Sequence, residues 1–206
     1  MGVLISGGGR TLQNFVDLWK AGLLKARVVK VVSTRADAFG LQRAAAEGIP
    51  AAVVRRKAFA TTEEFSDAVT AELQAEDVEL VAMAGFLSLY RIPDCYAGRV
   101  MNIHPALLPS FGGHGFYGER VHQAVLDYGC KITGCTVHFA DNAYDQGPII
   151  VQKAVPVEEG DDAHTLAARV FETEKAAYAE AVNLFAEGRL HIRGRRVEIS
   201  PPREGR

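Results

Sequence analysis

Three polar residues of different types are the parts of this sequence best suited to chemistry. Asn102 and His104 are separated by one residue, and Asp145 lies in a later polar segment. An amide N–H can donate to a developing oxyanion, and an imidazole beside a carboxylate can hold or move a proton near neutral pH. Asn102 taken alone would be interpreted as a strand-end residue that caps a turn. The three residues together favour a catalytic set.

The surrounding elements are predicted to place this set at one edge of a sheet. Short apolar runs alternate with amphipathic segments, which indicates an α/β fold with a single-domain, open, mostly parallel twisted sheet and helices on both faces. A buried strand over 99–103 would carry Asn102 and His104 to its carboxyl end, where open α/β sheets form their ligand crevice. An irregular loop over 105–115 should cover that crevice.

The end of the chain is predicted to complete the same domain. A long helix over 161–188 is followed by a hairpin over 190–199. The polar, proline-bearing segment 200–206 is expected to be a flexible tail. We therefore expect one domain over 1–199.

Composition argues against several functional classes. The 206 residues are 48% hydrophobic with a formal net charge of −2, so no basic surface for nucleic acid is indicated. No apolar run reaches membrane-spanning length. Cys95, Cys130 and Cys135 lack disulfide-framework spacing, which favours a reducing, cytoplasmic compartment. Alternation along a strand over 133–139 would send Cys135 and His138 to opposite faces, so no metal site is expected.

A glycine-rich turn after the first strand is a candidate anion site. Gly9, Arg10 and Thr11 precede or open a helix, where backbone N–H groups, a guanidinium and a hydroxyl could bind a phosphate. The turn lacks the last glycine of the dinucleotide-binding fingerprint and the lysine of a P-loop. A phosphate monoester therefore fits better than a dinucleotide, with a plain strand-to-helix turn as the alternative.

A second polar segment, over 134–150, is typical of a strand, an acidic loop and another strand. The loop could carry Asp145 back to His104, where a carboxylate would favour the charged imidazole. His138 and Asp141 could instead be structural, and for His138 the structural interpretation is favoured.

Residues 102–111, taken with 134–150, resemble the folate-dependent formyltransferases. The similarity extends from the first strand to about Gly188 and includes the segments 35–41 and 84–86. It implies a Rossmann-like formyltransferase domain that uses 10-formyltetrahydrofolate as co-substrate and no metal. The implied reaction transfers the formyl group to the amine of glycinamide ribonucleotide in de novo purine synthesis.

The resemblance also implies a role for each member of the polar set. Asn102 and protonated His104 would stabilise the oxyanion, and Asp145 would keep His104 charged and help to move a proton. Gly9, Arg10 and Thr11 would hold the ribonucleotide phosphate, and Glu174 would contact the ribose side. The implied folate pocket comprises Phe86, Leu87, Ser88, Leu89, Tyr90, Ala140, Asp141, Asn142, Ala143 and Tyr144.

Several positions depart from the usual family pattern, three of them at or next to candidate site residues. Arg10 stands where serine is usual, Ser88 stands where many relatives carry arginine, and Lys175 stands where histidine is common. With Ser88, folate contacts at that point are expected to come mainly from the backbone.

The implied partners are small-molecule substrates, with no nucleic acid and no membrane, and the protein is expected to be a monomer or a homodimer. The alternatives are a formyltetrahydrofolate hydrolase, a formyltransferase with another amine acceptor, and a non-catalytic nucleotide-binding module. The hydrolase is disfavoured because it usually carries an additional N-terminal regulatory domain. A nicotinamide oxidoreductase is disfavoured by the missing dinucleotide fingerprint.

Overall fold

One sheet runs through residues 1–202, the part of the chain that the computed structural model describes. Its nine strands there are β1 (Gly2–Ile5), β2 (Lys30–Ser33), β3 (Ala51–Val53), β4 (Val81–Met83), β5 (Val100–His104), β6 (Ile132–Phe139), β7 (Ile149–Pro156), β8 (Leu190–Arg193) and β9 (Arg196–Ile199). They are ordered β3-β2-β1-β4-β5-β6-β7-β9-β8 across the sheet. The first five strands of that order pair in parallel, β6 and β7 are antiparallel additions, and β9 runs parallel to β7. The predicted open, mostly parallel α/β sheet is confirmed.

Helices cover the two faces of this sheet unequally. Those of the described residues are α1 (Arg10–Lys20), α2 (Phe39–Ala46), α3 (Thr62–Gln74), α4 (Glu119–Tyr128) and α5 (Ala163–Ala186). Alternation along β1 sends Val3 and Ile5 into a core shared with α1 and α5, and sends Leu4 into a second core shared with α3. Full burial of one such side chain stabilises the fold by roughly 1.5–3 kcal/mol. Helices therefore lie on both faces, as predicted.

Helix starts follow local capping chemistry. The spacing of Thr61 and Glu64 in the sequence predicts a capping box, and α3 begins with one. Thr61 Oγ1 accepts from the Glu64 N–H at 3.1 Å, and the Glu64 carboxylate accepts from the Thr61 N–H at 3.3 Å. Asp162 and Thr165 form the same reciprocal arrangement at the start of α5. The predicted long helix is therefore fixed at its first turn, and the predicted hairpin follows it as β8 and β9.

Two element boundaries differ from the sequence prediction, in which a strand spans 26–33 and a helix spans 37–47. Strand β2 begins at Lys30 rather than at residue 26, and the Arg27 carbonyl accepts from the amino group of Met1 at 2.6 Å instead of joining the sheet. Helix α2 begins at Phe39 rather than at Asp37. The Asp37 carboxylate does not cap this helix, because it accepts two hydrogen bonds from the Arg35 guanidinium, at 3.0 and 2.6 Å.

Ser200, the first residue of the predicted tail, is hydrogen-bonded to the end of the terminal hairpin. The Ser200 N–H donates to the Arg189 carbonyl at 2.9 Å, and Arg189 Nε donates to the Ser200 carbonyl at 2.7 Å. Ser200 is therefore tied to the base of the terminal hairpin. Residues 203–206 of the predicted tail lie outside the described residues, and the domain range 1–199 stays a prediction.

The strand order creates a crevice at one edge of the sheet. The chain fills the β2 and β3 side of β1 first, then crosses to form β4 and β5 on the other side. Such a reversal separates the loops that follow β1 and β4 and leaves room for a ligand at their carboxyl ends. The Tyr178 hydroxyl of α5 lies 3.1 and 2.9 Å from the carbonyl oxygens of Met83 and Met101, which joins β4 and β5 beneath that edge. Within residues 1–202, none of the helices combines the length and apolarity that crossing a membrane requires.

Candidate active site

Strands β5 and β6 bring three candidate side chains together through their register. Asn102 pairs directly with His138 across the antiparallel ladder, and His104 pairs with Thr136. Directly opposed residues in such a ladder have neighbouring side chains. Asn102 Nδ2 accordingly lies 3.3 Å from His138 Nε2. As predicted, Asn102 and His104 occupy alternate positions at the carboxyl end of their strand.

Asp145 reaches this pair from the loop between β6 and β7. Its Oδ1 accepts from Asn102 Nδ2 at 3.2 Å, and its Oδ2 accepts from the Gly113 N–H at 2.9 Å. The Asp145 backbone has φ 56°, a left-handed conformation that costs free energy for a residue other than glycine. Gly112 permits the approach of the covering loop, because a Cβ there would lie 2.4 Å from Leu108 and 3.4 Å from Asp145. The predicted meeting of Asn102, His104 and Asp145 is what the fold produces.

The protonation of His104 follows from its two contacts. Nε2 donates to the Phe111 carbonyl at 2.8 Å, and this contact requires a proton on Nε2 because a carbonyl can only accept. Nδ1 faces Asp145 Oδ2 at 3.4 Å. In the neutral ring this Nδ1 carries no proton, so a proton that enters the pair is held between Nδ1 and Oδ2.

Burial decides the resting charge of the pair. Desolvation lowers the pKa of His104 below its ordinary value of 6.5, and the opposing effect of Asp145 is smaller. For Asp145, burial alone would raise the pKa, but contacts with His138, His104 and the Gly113 N–H together lower it below 3.8. Near neutral pH the resting pair is therefore a neutral imidazole beside a carboxylate. Asp145 raises the pKa of His104, as expected from the sequence, but in this resting state burial of the imidazole lowers it more.

His138 lies beside the polar set, although the sequence interpretation favoured a structural role for it. Its Nδ1 donates to the Phe139 carbonyl at 2.9 Å, so in the neutral ring Nε2 is left to accept from Asn102. The same Nε2 lies 3.6 Å from Asp145 Oδ1. His138 thus contacts two members of the polar set. The sequence offered no local signal for this, since the contact depends on the β5–β6 register.

Side chains of β6 and β7 hold the loop after β5 in place. Thr136 Oγ1 donates to the Ala106 carbonyl at 2.7 Å and accepts from the Leu108 N–H at 3.0 Å. Gln152 Nε2 donates to the Leu108 carbonyl at 3.0 Å. These buried hydrogen bonds position the loop that supplies Phe111 and Gly113 to the His104–Asp145 pair.

A cavity of about 390 Å³ opens above the polar set. Its lining includes Asn102, His104, His138 and Asp145. Of the residues implied to bind folate, those that line it are Phe86, Leu87, Ser88, Leu89, Tyr90, Ala140, Asp141, Ala143 and Tyr144. Asn142 does not line it, because the Asn142 side chain instead accepts from the Ile92 N–H at 2.9 Å.

The loop over 113–118 forms a wall of the cavity that the sequence did not assign. His114 packs against Tyr144 with ring centroids 5.6 Å apart, so this loop meets the one that carries Asp145. Phe116, Tyr117 and Arg120 also line the cavity. The glycines around these residues gave only the expectation of an irregular covering loop.

The turn after β1 forms a separate polar cluster outside the cavity lining. Gly9 takes a left-handed conformation, φ 68°, at the start of α1, and no side chain caps the helix. Its first-turn N–H groups therefore remain available to an anion. The Arg10 guanidinium lies 4.0 Å above the ring of Phe171 on α5. Thr11 occupies the first turn of the same helix, as predicted.

Glu174 lies on α5 near this turn. Burial raises the pKa of its carboxyl group to about 7, and the nearby charge of Arg10 only partly opposes the rise. The group is thus close to half-protonated at neutral pH and can donate or accept a hydrogen bond. The structure brings Glu174 and Arg10 together, but it places neither in the cavity above Asp145.

No metal-binding arrangement is present among residues 1–202, where no three His, Cys, Asp or Glu side chains are grouped to hold an ion. Cys95, Cys130 and Cys135 are free thiols.

Known proteins resemble this chain over most of its length. The family described as formyl transferase matches residues 1–182. A phosphoribosylglycinamide formyltransferase from Haemophilus influenzae is 37% identical over 193 residues, which cover 93% of this chain and 89% of that protein. The trifunctional purine biosynthetic protein adenosine-3 of Gallus gallus is 41% identical over 192 residues, which cover 92% of this chain but 19% of that protein. The chain thus spans about a fifth of the trifunctional relative.

A solved structure agrees with these sequence matches. The crystal structure of glycinamide ribonucleotide transformylase 1 from Symbiobacterium toebii aligns with a TM-score of 0.90 at 46% identity, covering 96% of this chain and 92% of that one. Both the sequence match and the shared fold include the strands that carry the polar set. On these grounds the chain belongs to the formyl transferase family.

Proposed function

We propose that this protein transfers the formyl group of 10-formyltetrahydrofolate to the amine of glycinamide ribonucleotide, a step of de novo purine synthesis. The observation that carries the proposal is the meeting of Asn102, His104 and Asp145, from separate segments, at the base of one cavity. The names of the Haemophilus and Symbiobacterium relatives support the same acceptor.

The polar set suits the addition of an amine to a formyl carbon. A new C–N bond forms at that carbon, and negative charge develops on its oxygen. The Asn102 amide, which contacts Asp145 and His138 in the resting site, would exchange one of these contacts for that oxygen. Preorganised donors of this kind stabilise the transition state more than the ground state.

The His104–Asp145 pair suits the proton transfer. The attacking amine must lose a proton, and the leaving folate nitrogen must gain one when its bond to the formyl carbon breaks. A neutral imidazole beside a carboxylate can accept the proton from the attacking amine, hold it between Nδ1 and Oδ2, and release it to the leaving folate nitrogen. The exchange balances, because one proton enters the pair and one leaves.

The cavity and the β1 turn suit the two substrates. Buried Phe86 and Tyr90 give the cavity apolar walls, with polar groups only at its base, a combination common for drug-sized ligands. The N-terminus of α1 with Gly9, Arg10 and Thr11 would hold the ribonucleotide phosphate. Glu174, with a pKa of about 7, could exchange hydrogen bonds with ribose hydroxyls.

Compartment and assembly complete the proposal. The protein would act on small molecules in the cytoplasm as a monomer or a homodimer, without nucleic acid or membrane. The free thiols of Cys95, Cys130 and Cys135 support a reducing compartment. Light scattering of the purified protein at several concentrations tests the assembly.

One assay tests the reaction. Purified protein is mixed with 10-formyltetrahydrofolate with and without glycinamide ribonucleotide, and tetrahydrofolate formation is followed. Turnover that requires the ribonucleotide is expected. Turnover without any amine would indicate a hydrolase. Turnover only with a different amine would show that glycinamide ribonucleotide is not the acceptor, and ribonucleotide binding without turnover would indicate a binding module.

A further inference from the structure

Three side chains at one level of the sheet bind the same loop. His104 of β5 pairs with Thr136 of β6, and Thr136 pairs with Gln152 of β7. Directly opposed residues in antiparallel ladders have neighbouring side chains. The three side chains therefore form a cross-strand row that runs from the catalytic imidazole to β7, and each of them contacts the loop over 105–113.

The β7 end of this row holds the peptide groups of Leu108. Gln152 Nε2 donates to the Leu108 carbonyl and to Thr136 Oγ1, each at 3.0 Å, which uses both of its hydrogens. Thr136 Oγ1 accepts from the Leu108 N–H at 3.0 Å and donates to the Ala106 carbonyl at 2.7 Å. The N–H and the carbonyl of Leu108 are thus both bonded to the row.

The other end of the loop contacts the His104–Asp145 pair. The Phe111 carbonyl accepts from His104 Nε2 at 2.8 Å, and the Gly113 N–H donates to Asp145 Oδ2 at 2.9 Å. These two backbone groups fix the ring and the carboxylate on either side of the 3.4 Å gap between Nδ1 and Oδ2. Because only a few residues separate Leu108 from them, a shift of Leu108 displaces both.

Gln152 has no direct access to the reaction. It does not line the active-site cavity, and it is an exposed residue in the middle of β7. Water is therefore an alternative partner for its amide, yet both N–H groups point to the row and the loop. Its exposure also means that a substitution leaves the hydrophobic core unchanged.

We propose that Gln152 is a positioning residue for proton transfer by the His104–Asp145 pair, an inference that rests on the proposed function. Gln152 holds Leu108, and Leu108 holds the segment that supplies the Phe111 carbonyl and the Gly113 N–H. Loss of the Gln152 amide loosens that segment and changes the distance over which the proton is held. Misplacement of a catalytic group by about 1 Å can cost about 100-fold in rate, so partial loosening should cost about tenfold.

The kinetic test uses Gln152→Met, which keeps the length of the side chain and removes both N–H groups. It should lower kcat about tenfold and leave KM for the ribonucleotide within about twofold. In the Asp145→Asn background the same substitution should lower kcat less than about twofold, because the pair through which Gln152 acts is already disabled. An equal loss in both backgrounds, or a change confined to KM, overturns the proposal.

Two further variants separate the amide from the position. Gln152→Lys keeps a donor that can reach the Leu108 carbonyl, so it should recover most of kcat. Failure of this variant to exceed Gln152→Met contradicts the role of the donor. Gln42→Met is the matched control, since it makes the same exchange at an exposed residue of α2 outside both cavities, and it should leave kcat and KM unchanged.

A second measurement does not depend on formyl transfer. With ¹⁵N-labelled histidine, the His104 Nε2–H signal is assigned by its absence in His104→Asn, and its exchange with water is followed by NMR. The hydrogen bond to the Phe111 carbonyl slows this exchange, which should become about tenfold faster in Gln152→Met. Equal exchange in the parent and the variant overturns the proposal.

The two measurements also keep the proposal apart from the proposed function. A parent protein without ribonucleotide-dependent turnover contradicts the proposed function, whereas the exchange of the His104 proton still reports on Gln152. If Gln152→Met fails to fold, Gln152→Thr carries the same comparisons, because threonine suits a strand and is too short to reach Leu108.

Discussion

The network around Asp145 and the turn after β1 lie on one sheet edge, but they differ in burial. Asp145, His104 and His138 are almost enclosed, and each contacts another member of the set. Arg10 is exposed, and the helix N-terminus beside it makes no side-chain cap. Burial and mutual contacts shift the pKa values of His104 and Asp145. Enclosed groups also stay in a fixed arrangement, which suits stabilisation of a transition state. Exposed donors suit the binding of a charged ligand, because they replace only some of the water molecules that solvate it.

The largest expected effect comes from the enclosed network. Asp145→Asn and Asn102→Ala should each lower kcat at least ~100-fold with a smaller change in KM, because these groups act mainly in the transition state. Steady-state kinetics of formyl transfer measure both constants. Asp127→Asn is the control, since that exposed carboxylate accepts from Gln123 on its own helix. If either site variant kept activity within a few-fold of the parent, the enclosed network would not be the region that stabilises the transition state.

Acid stability extends the comparison beyond catalysis. Burial lowers the pKa of His122 to about 4, with Glu119 opposing the shift and His104 adding to it, and His122 Nδ1 has no hydrogen-bond partner within residues 1–202. The unfolded chain therefore binds this proton more tightly, and stability is lost as the pH falls below about 6.5. Between about pH 7 and pH 5, the free energy of unfolding should fall by roughly 2 kcal/mol more in the parent than in His122→Phe. Denaturant titrations at the two pH values give this difference, and parallel losses in both proteins would contradict it.

A smaller effect is expected at His138, which acts through its neighbours. His138→Phe removes the acceptor for Asn102 and should lower kcat about tenfold through misplacement of the amide. His138→Gln keeps a side-chain acceptor and should recover part of that loss. Equal activity of the phenylalanine variant and the parent protein would return His138 to a purely structural role.

The smallest effect belongs to the exposed turn. Arg10→Ala should raise KM for the phosphorylated acceptor about fivefold and leave kcat nearly unchanged, as expected for one solvent-exposed ionic contact. Arg10→Lys should restore most of the binding. A fall in kcat without a change in KM would place Arg10 with the enclosed groups and break the comparison.

Residue types and local patterns were enough to predict much of this protein. Alternating apolar runs indicated the open α/β sheet, and Thr61 with Glu64 marked the start of α3. The residue types of Asn102, His104 and Asp145, and the strands and loop that carry them, predicted that the three side chains would meet. These features depend on local periodicity, capping and side-chain chemistry, which a sequence states directly.

Only the tertiary structure decided which neighbours each group meets. His138 joins Asn102 because β5 and β6 pair in one register, and Asn142 leaves the cavity lining because the Ile92 N–H lies within its reach. The resting charge of His104 depends on how completely the folded chain excludes water from it. Pairing, reach and desolvation all arise from contacts between residues far apart in the chain, and local sequence does not specify those contacts.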